Sequence, residues 1–150
     1  MKRSQRLQTI IDLYVSREKD ALLALGRSQK LLQEQQLQLE QLTAYQHEYL
    51  AKLVERQKAG MNVSQLLEFR AFADKLDKAI EGQRKALVLQ EREFQKARKH
   101  WEEANRRTKS LEKLGEMAVA EELKQENKRE QSEQDDFAAR LARKDGMRNA

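Results

Sequence analysis

Apolar residues recur through the first half of the chain at alternating spacings of three and four residues. In an α-helix this spacing places side chains along one stripe of the surface. Ten of the fourteen positions that follow it from Leu7 are apolar, and the full set is Leu7, Ile11, Tyr14, Glu18, Ala21, Leu25, Ser28, Leu32, Gln35, Leu39, Leu42, Gln46, Tyr49 and Leu53. Sustained over several heptads, the stripe predicts the seam of a coiled coil.

The second half repeats the pattern from Phe69. Ten of thirteen positions are apolar, in the set Phe69, Ala73, Leu76, Ile80, Gln83, Leu87, Gln90, Phe94, Ala97, Trp101, Ala104, Thr108 and Leu111. Between the halves, Gly60 can end one helix in a left-handed conformation, and Asn62 or Ser64 can cap the next. A short connection favours antiparallel pairing of the two stripes, because each then finds its partner in the same chain.

We therefore predict an all-α fold, a long antiparallel two-stranded coiled coil, with both helices in a single domain covering residues 1–150. Helix 1 is expected at about residues 4–58, the turn at about 59–64 and helix 2 at about 65–123. Folding about residues 61 and 62 sets the register, and each helix would be roughly 80 to 90 Å long. Residues 124–136 contain no apolar side chain, so the seam stops there. We interpret 124–150 as a polar tail, a helix that frays; a solvated helix, a disordered segment or a partner-binding helix are the alternatives.

Composition agrees with a narrow helical structure. The chain has no Pro, only five Gly, 37% charged residues and 5% aromatic residues, too little apolar material for a thick core. Without Cys it cannot form disulfides, which is compatible with a reducing cytosol. The longest apolar run, Ala21 to Leu25, is too short for a membrane span. The net charge of +5 is concentrated in residues 84–113, and such a basic face favours acidic partners or nucleic acid.

Catalytic chemistry has little support in the sequence. His47 and His100 are the only histidines, and the expected register places them far apart along the helices. No phosphate-binding, dinucleotide-binding or zinc-protease motif occurs. The sequence therefore predicts a protein that is not an enzyme and that needs no cofactor or metal.

Four aromatic residues are expected to gather near the turn: Tyr45, Tyr49, Phe69 and Phe72. Tyr45 and Phe72 lie outside the a/d seam, and a two-stranded coiled coil has no room to bury large rings there. They could form an exposed surface that docks a partner, or they could lie over the seam edge and seal it. The sequence leaves both interpretations open.

These residues also carry a family resemblance. The length, the two seams and the local motifs resemble the FliJ family, a soluble component of the bacterial flagellar type III export apparatus; the motifs are Tyr45-Gln46-His47-Glu48-Tyr49, then Phe72, Leu76 and Ala79-Ile80-Glu81. The resemblance implies an antiparallel coiled coil similar to the central stalk of rotary ATPases. It further implies that the joined N- and C-terminal ends enter the hexameric export ATPase ring and promote its assembly and activity, that the protein links this ring to the membrane export gate, and that it binds export chaperones.

The resemblance also implies which residues bind. The export-gate surface maps onto Gln38, Leu42, Tyr45, Tyr49, Phe72, Leu76, Ala79 and Gln83, where Gln83 stands at a position that can carry His in other members. For the ATPase ring we predict a basic surface made of Arg3, Arg6, Arg98, Arg106 and Arg107. We expect a monomer when the protein is alone, cytoplasmic and peripherally associated with the inner membrane at the flagellar base, with no membrane insertion and no nucleic-acid binding.

Three alternatives stay open on sequence grounds. A stalk protein of a virulence injectisome would have the same architecture. A basic coiled coil that binds nucleic acid would lose affinity steeply with salt. A structural homodimer, with helices paired between chains, would show twice the monomer mass in solution.

Overall fold

A computed structural model of the chain describes residues 2–148. Helix α1 runs Arg3–Ala59 and helix α2 runs Val63–Arg148, and no strand occurs between residues 2 and 148. The two helices pack against each other in antiparallel directions, as the contacts below show. The predicted fold class, an all-α antiparallel two-stranded coiled coil, is confirmed.

The chain divides into two compact units. The turn unit consists of Lys19–Glu103, and the terminal unit consists of Met1–Glu18 together with Ala104–Ala150. Each unit contains one segment of α1 and one segment of α2. The expectation of a single domain stays a prediction.

The turn between the helices has a defined conformation at both of its ends. Gly60 has a φ of +98°, in the left-handed region that an L side chain rarely adopts, and this ends α1. Asn62 Oδ1 accepts a hydrogen bond from the Gln65 backbone N–H at 2.8 Å, and Gln65 Oε1 accepts one from the Asn62 N–H at 3.4 Å. This reciprocal pair is a capping box, which fixes the start of α2.

The seam lies where the three-four spacing places it. All fourteen α1 positions and all thirteen α2 positions of the predicted stripes are buried or half-buried. The most buried apolar side chains are Ile11, Ala21, Leu76, Ile80 and Ala118. Among the described residues no large side chain is completely buried, because two helices alone cannot enclose a side chain on every side.

Polar side chains interrupt the seam in the turn unit and pair across it. Gln83 Nε2 donates to Gln35 Oε1 at 2.6 Å and to the Gln35 carbonyl oxygen at 3.1 Å. Gln90 Nε2 donates to the carbonyl and Oγ oxygens of Ser28, both at 3.3 Å, and Gln46 donates to Asp77. These pairs agree, within a few residues, with folding about residues 61 and 62.

The terminal unit has its own polar pairs. Asn105 Nδ2 donates to Glu18 Oε1 at 2.6 Å, and the buried Thr108 hydroxyl donates to the Ala104 carbonyl at 2.9 Å. At the start of α1, Ser4 donates through its backbone N–H and its Oγ to the Glu122 carboxylate, at 3.0 and 2.6 Å. The first turn of α1 contains no acidic residue. Glu122 of α2 therefore supplies the negative charge that a helix N-terminus favours.

α2 continues beyond its last contact with α1. Every described residue from Leu123 to Arg148 is exposed, and all of them are helical. The polar segment of residues 124–136 lies within this continuous helix. Fraying of the segment stays a prediction.

Candidate protein-binding site

The four aromatic residues predicted to gather near the turn do form one cluster. The Tyr49 ring centroid lies 4.8 Å from that of Phe72 and 5.2 Å from that of Phe69. Tyr45 stands 6.3 Å from Phe72, edge to face, and 6.4 Å from Tyr49. These separations are within the range in which aromatic pairs stabilise one another beyond their buried area.

The cluster has a covered layer and an open layer. Tyr49 and Phe69 occupy seam positions and are half-buried. Tyr45 is 48% exposed and Phe72 is 38% exposed. Tyr49 and Phe69 therefore close the seam, whereas Tyr45 and Phe72 each present part of a ring to solvent, and the docking role of these two rings stays a prediction. Large, rigid exposed rings of this kind are frequent anchors in protein interfaces.

The covered layer holds the open one in place. The Tyr49 hydroxyl donates to the Phe69 carbonyl at 3.4 Å. Burial raises the pKa of Tyr49, the neighbouring Tyr45 raises it further, and Arg56 acts in the opposite direction. The Arg56 guanidinium lies 5.5 Å from the centre of the Phe69 ring, close enough for a cation–π contact. Tyr49 is thus an anchored neutral side chain, against which Tyr45 and Phe72 pack.

The other residues of the predicted gate surface differ in accessibility. Gln38 and Ala79 are exposed and Leu42 is half-buried, whereas Leu76 is only 6% exposed. Gln83 is half-buried, and its amide is already engaged by Gln35. Gln38 precedes Tyr45 by seven residues, and Ala79 follows Phe72 by seven, so each pair shares a helix face. Leu76 and Gln83 lie beneath the accessible members and hold the seam together.

The predicted ring-binding arginines are divided between the two units. The terminal unit contains Arg3, Arg6, Arg106 and Arg107, all exposed, with no carboxylate within ion-pair distance among residues 2–148. Arg98 belongs to the turn unit, where its Nε donates to Glu102 Oε1 at 3.1 Å. Such an exposed pair between successive helical turns stabilises only weakly, but it occupies part of the guanidinium.

Apolar side chains accompany the arginines of α1, and the sequence analysis did not identify them. Ile10 and Leu13 are exposed, and they follow Arg3 and Arg6 at the three-four spacing that keeps residues on one side of a helix. The next residue on this side, Arg17, lies 5.2 Å from the centre of the Tyr14 ring. The signal was present in the sequence as a second amphipathic stripe beside the seam.

No group of three or more His, Asp or Glu side chains within residues 2–148 is arranged to hold a metal ion. Neither α1 nor α2, over their described lengths, has an apolar stretch long enough to cross a membrane.

Comparison with known proteins identifies the family. The family model described as "Flagellar FliJ protein" matches residues 2–146. The Flagellar FliJ protein of Salmonella typhi is 31% identical over 136 residues, which cover 91% of this chain and 92% of that relative. The Flagellar FliJ protein of Escherichia coli strain K12 is 30% identical over 136 residues, with the same coverage. The resemblance inferred from the two seams and the motifs around Tyr45 and Phe72 is thus confirmed, and the chain belongs to the FliJ family of flagellar proteins.

Proposed function

We propose that this protein is a non-enzymatic component of the bacterial flagellar type III export apparatus, which acts as a stalk. In this proposal the terminal unit inserts into the export ATPase ring and promotes its assembly and activity, while the turn unit binds the export gate. The protein also binds export chaperones. Membership of the FliJ family supports a flagellar export component, and the flagellar relatives favour this system over a virulence injectisome.

The observation that carries the ring-binding part is the surface of the terminal unit. Its paired segments are two helices thick, a cross-section that suits the pore of a ring. Arg3 and Arg6 share a side of α1 with the exposed Ile10 and Leu13. Guanidinium groups form forked hydrogen bonds with carboxylates and amides, and exposed aliphatic side chains add contact area. We therefore expect an acidic or amide-lined wall as the partner of this surface.

The gate-binding part rests on the open layer of the aromatic cluster. Tyr45 and Phe72 are exposed and mutually packed, and Gln38 and Ala79 extend the same surface by two helical turns in each helix. A partner that covers these rings would gain apolar burial without ordering flexible side chains. The gate partner is expected to be a cytoplasmic region of a membrane protein, which would place this chain peripherally at the inner membrane.

Stimulation of ATP hydrolysis tests the proposal. The purified protein is expected to raise the hydrolysis rate of its cognate export ATPase and to promote ring formation. Reversing the terminal arginines, as R3E/R6E and as R106E/R107E, should reduce stimulation several-fold, because the charge that faces the pore changes sign. R98E should have a smaller effect, since Arg98 is paired with Glu102.

The matched control reverses two exposed basic residues away from both surfaces, as R27E/K30E. Helicity of every variant is checked by circular dichroism. Equal stimulation by wild type, R3E/R6E and R106E/R107E would remove the arginine surface from the proposal. No stimulation by the wild-type protein would contradict the stalk role itself.

A further inference from the structure

The C-terminal part of α2 carries an apolar face that lies outside the seam. Val119, Leu123, Phe137 and Leu141 are exposed by 56%, 59%, 63% and 48%. Val119 and Phe137 are eighteen residues apart, as are Leu123 and Leu141, and this spacing is five full turns of an α-helix. The four side chains therefore lie on one side of α2.

Charges flank this apolar face with opposite signs at its two ends. Glu112 and Glu116 precede Val119 at the same three-four spacing, and Lys144 and Arg148 follow Leu141 at that spacing. Read along α2, the face has an acidic pair, an apolar pair, a polar middle that contains Glu126 and Glu130, a second apolar pair and a basic pair. Its positions are mirrored about Glu130, in the pairs Leu123 with Phe137, Val119 with Leu141, Glu116 with Lys144, and Glu112 with Arg148.

The acidic half of the face forms one wall of a groove in the terminal unit. Ile11 and Val15 of α1, with Val119 and Leu123 of α2, give an open groove of about 690 Å³ an apolar lining. Asp12, Glu112 and Glu116 add carboxylates to the same groove. A helix with apolar side chains on one face and basic side chains beside them would complement it in both shape and charge.

We propose that this face binds the same face of a second copy of this chain in an antiparallel, two-fold symmetric pair, in which the segment of residues 137–148 of each copy enters the groove of the other. A two-fold axis brings each residue opposite its mirror position. Phe137 then meets Leu123, Leu141 meets Val119, and Lys144 and Arg148 meet Glu116 and Glu112. The two-fold symmetry repeats these contacts, so that each of them forms once at either end of the pair.

The occupant is a second copy rather than the chain's own tail. α2 is helical without a break through Arg148, which carries residues 137–148 away from the groove of their own chain. The two segments on either side of Glu130 would also face each other in the pair. Residues 124–129 contain Lys124, Lys128 and Arg129 with one carboxylate, whereas residues 131–136 contain three carboxylates and no basic residue.

The pair is expected to be weak. Glu130 meets its own copy at the axis, which is unfavourable, and all the facing charges are exposed, so that each ion pair contributes little. A dissociation constant on the order of 10 to 100 μM would leave a monomer at low concentration. The inference uses a face outside the seam and does not depend on the proposed function.

Sedimentation equilibrium of the full chain tests the proposal. We expect dimer formation with rising concentration, weakened at least several-fold when NaCl is raised from about 50 mM to about 500 mM. The variant E112K/E116K and the variant K144E/R148E should each lose self-association. An equimolar mixture of the two should recover dimers with one copy of each variant, because opposite charges then face each other at both ends.

The control variant, E121K/R143E, changes the same kinds of side chain on other sides of α2 and should dimerise like the wild type. A second variant, F137S/L141S, removes the apolar contacts without touching the seam and should be monomeric. A wild-type mass that stays monomeric up to about 500 μM would overturn the proposal. So would failure of the two reversed variants to pair when mixed.

Discussion

Ile11 of α1 packs into the space left by the missing side chain of Gly115 on α2. A Cβ atom on residue 115 would lie 2.9 Å from the Cδ1 atom of Ile11, closer than real contacts allow. Ile11 is itself buried. Gly82, also within α2, has no neighbouring atom within 4 Å of the corresponding point. The two glycines therefore occupy similar helix but different surroundings.

We predict different effects of alanine at these two glycines. G82A should raise the free energy of unfolding by about 0.5 to 1 kcal/mol, because alanine is the better helix former. G115A should raise the free energy of unfolding by less than G82A, or not at all, because the end of the Ile11 side chain must shift to admit the new Cβ atom. Urea denaturation measures both. In the background of I11V, which lacks Cδ1, G115A should recover the stabilisation; equal effects of G82A and G115A in the wild type would contradict the packing argument.

The Gln35–Gln83 layer gives a second prediction. Q83L should lower the free energy of unfolding by about 1 to 2 kcal/mol, because the half-buried Gln35 side chain loses its partner. Q35L/Q83L should be close to the wild type or more stable, because both side-chain amides are then replaced and neither is left without its partner. Q36L, at an exposed position, is the control and should change stability little. If Q35L/Q83L had a lower free energy of unfolding than Q83L, the Gln35–Gln83 layer would stabilise the fold more than an apolar layer does.

The exposed aromatic layer gives a third prediction. Y45A/F72A should keep the wild-type helicity, because the covered pair Tyr49 and Phe69 still closes the seam, while the loss of the other ring contacts lowers the unfolding midpoint. Affinity for the cytoplasmic region of the export gate should fall at least about tenfold, as expected when two interface anchors are truncated. A titration by calorimetry measures this. Truncation of exposed leucines away from the cluster, as L22A/L23A, should leave the affinity unchanged.

The contact between Ser4 and Glu122 predicts a pH dependence. The hydrogen bond from the Ser4 hydroxyl, and then the one from its backbone N–H, lower the pKa of Glu122 below the ordinary value of 4.5. Because the folded pKa is the lower one, the stabilisation is fully present above pH 4.5 and is lost as the pH falls through the folded pKa. S4A should move the pKa of Glu122 up toward its ordinary value in an NMR titration. T9A removes a hydroxyl from the same helix without contacting Glu122 and should not move it.

The seam was predictable from the sequence because it depends on spacing alone. Every position of the two stripes is covered, and polar members such as Gln35, Gln83 and Thr108 are covered together with the leucines. The partners of those polar side chains were not predictable individually, because an error of a few residues in the turn moves each amide to a different neighbour. The capping box at Asn62 was predictable, since it involves only residues three apart.

The exposure of particular side chains was harder to predict. Spacing placed Tyr45 and Phe72 outside the seam, but the degree to which each ring is covered depends on the packing of Tyr49 and Phe69 beneath them. Arg98 was grouped with the terminal arginines by charge, and the structure pairs it with Glu102 in the turn unit. The face that joins Val119 and Leu123 to Phe137 and Leu141 was not predictable as one surface, because residues 124–136 contain no apolar side chain and the five-turn spacing has meaning only if α2 is continuous.

The amide pairs across the turn unit also determine how it responds to force. Sliding one helix along the other by a single turn would separate Gln35 from Gln83, Ser28 from Gln90 and Gln46 from Asp77 in one step, and would break all of these hydrogen bonds together. Shear is therefore resisted by all three pairs at once. We therefore expect a displacement applied to one helix of this unit to be transmitted to the other helix, because relative sliding would break all three pairs.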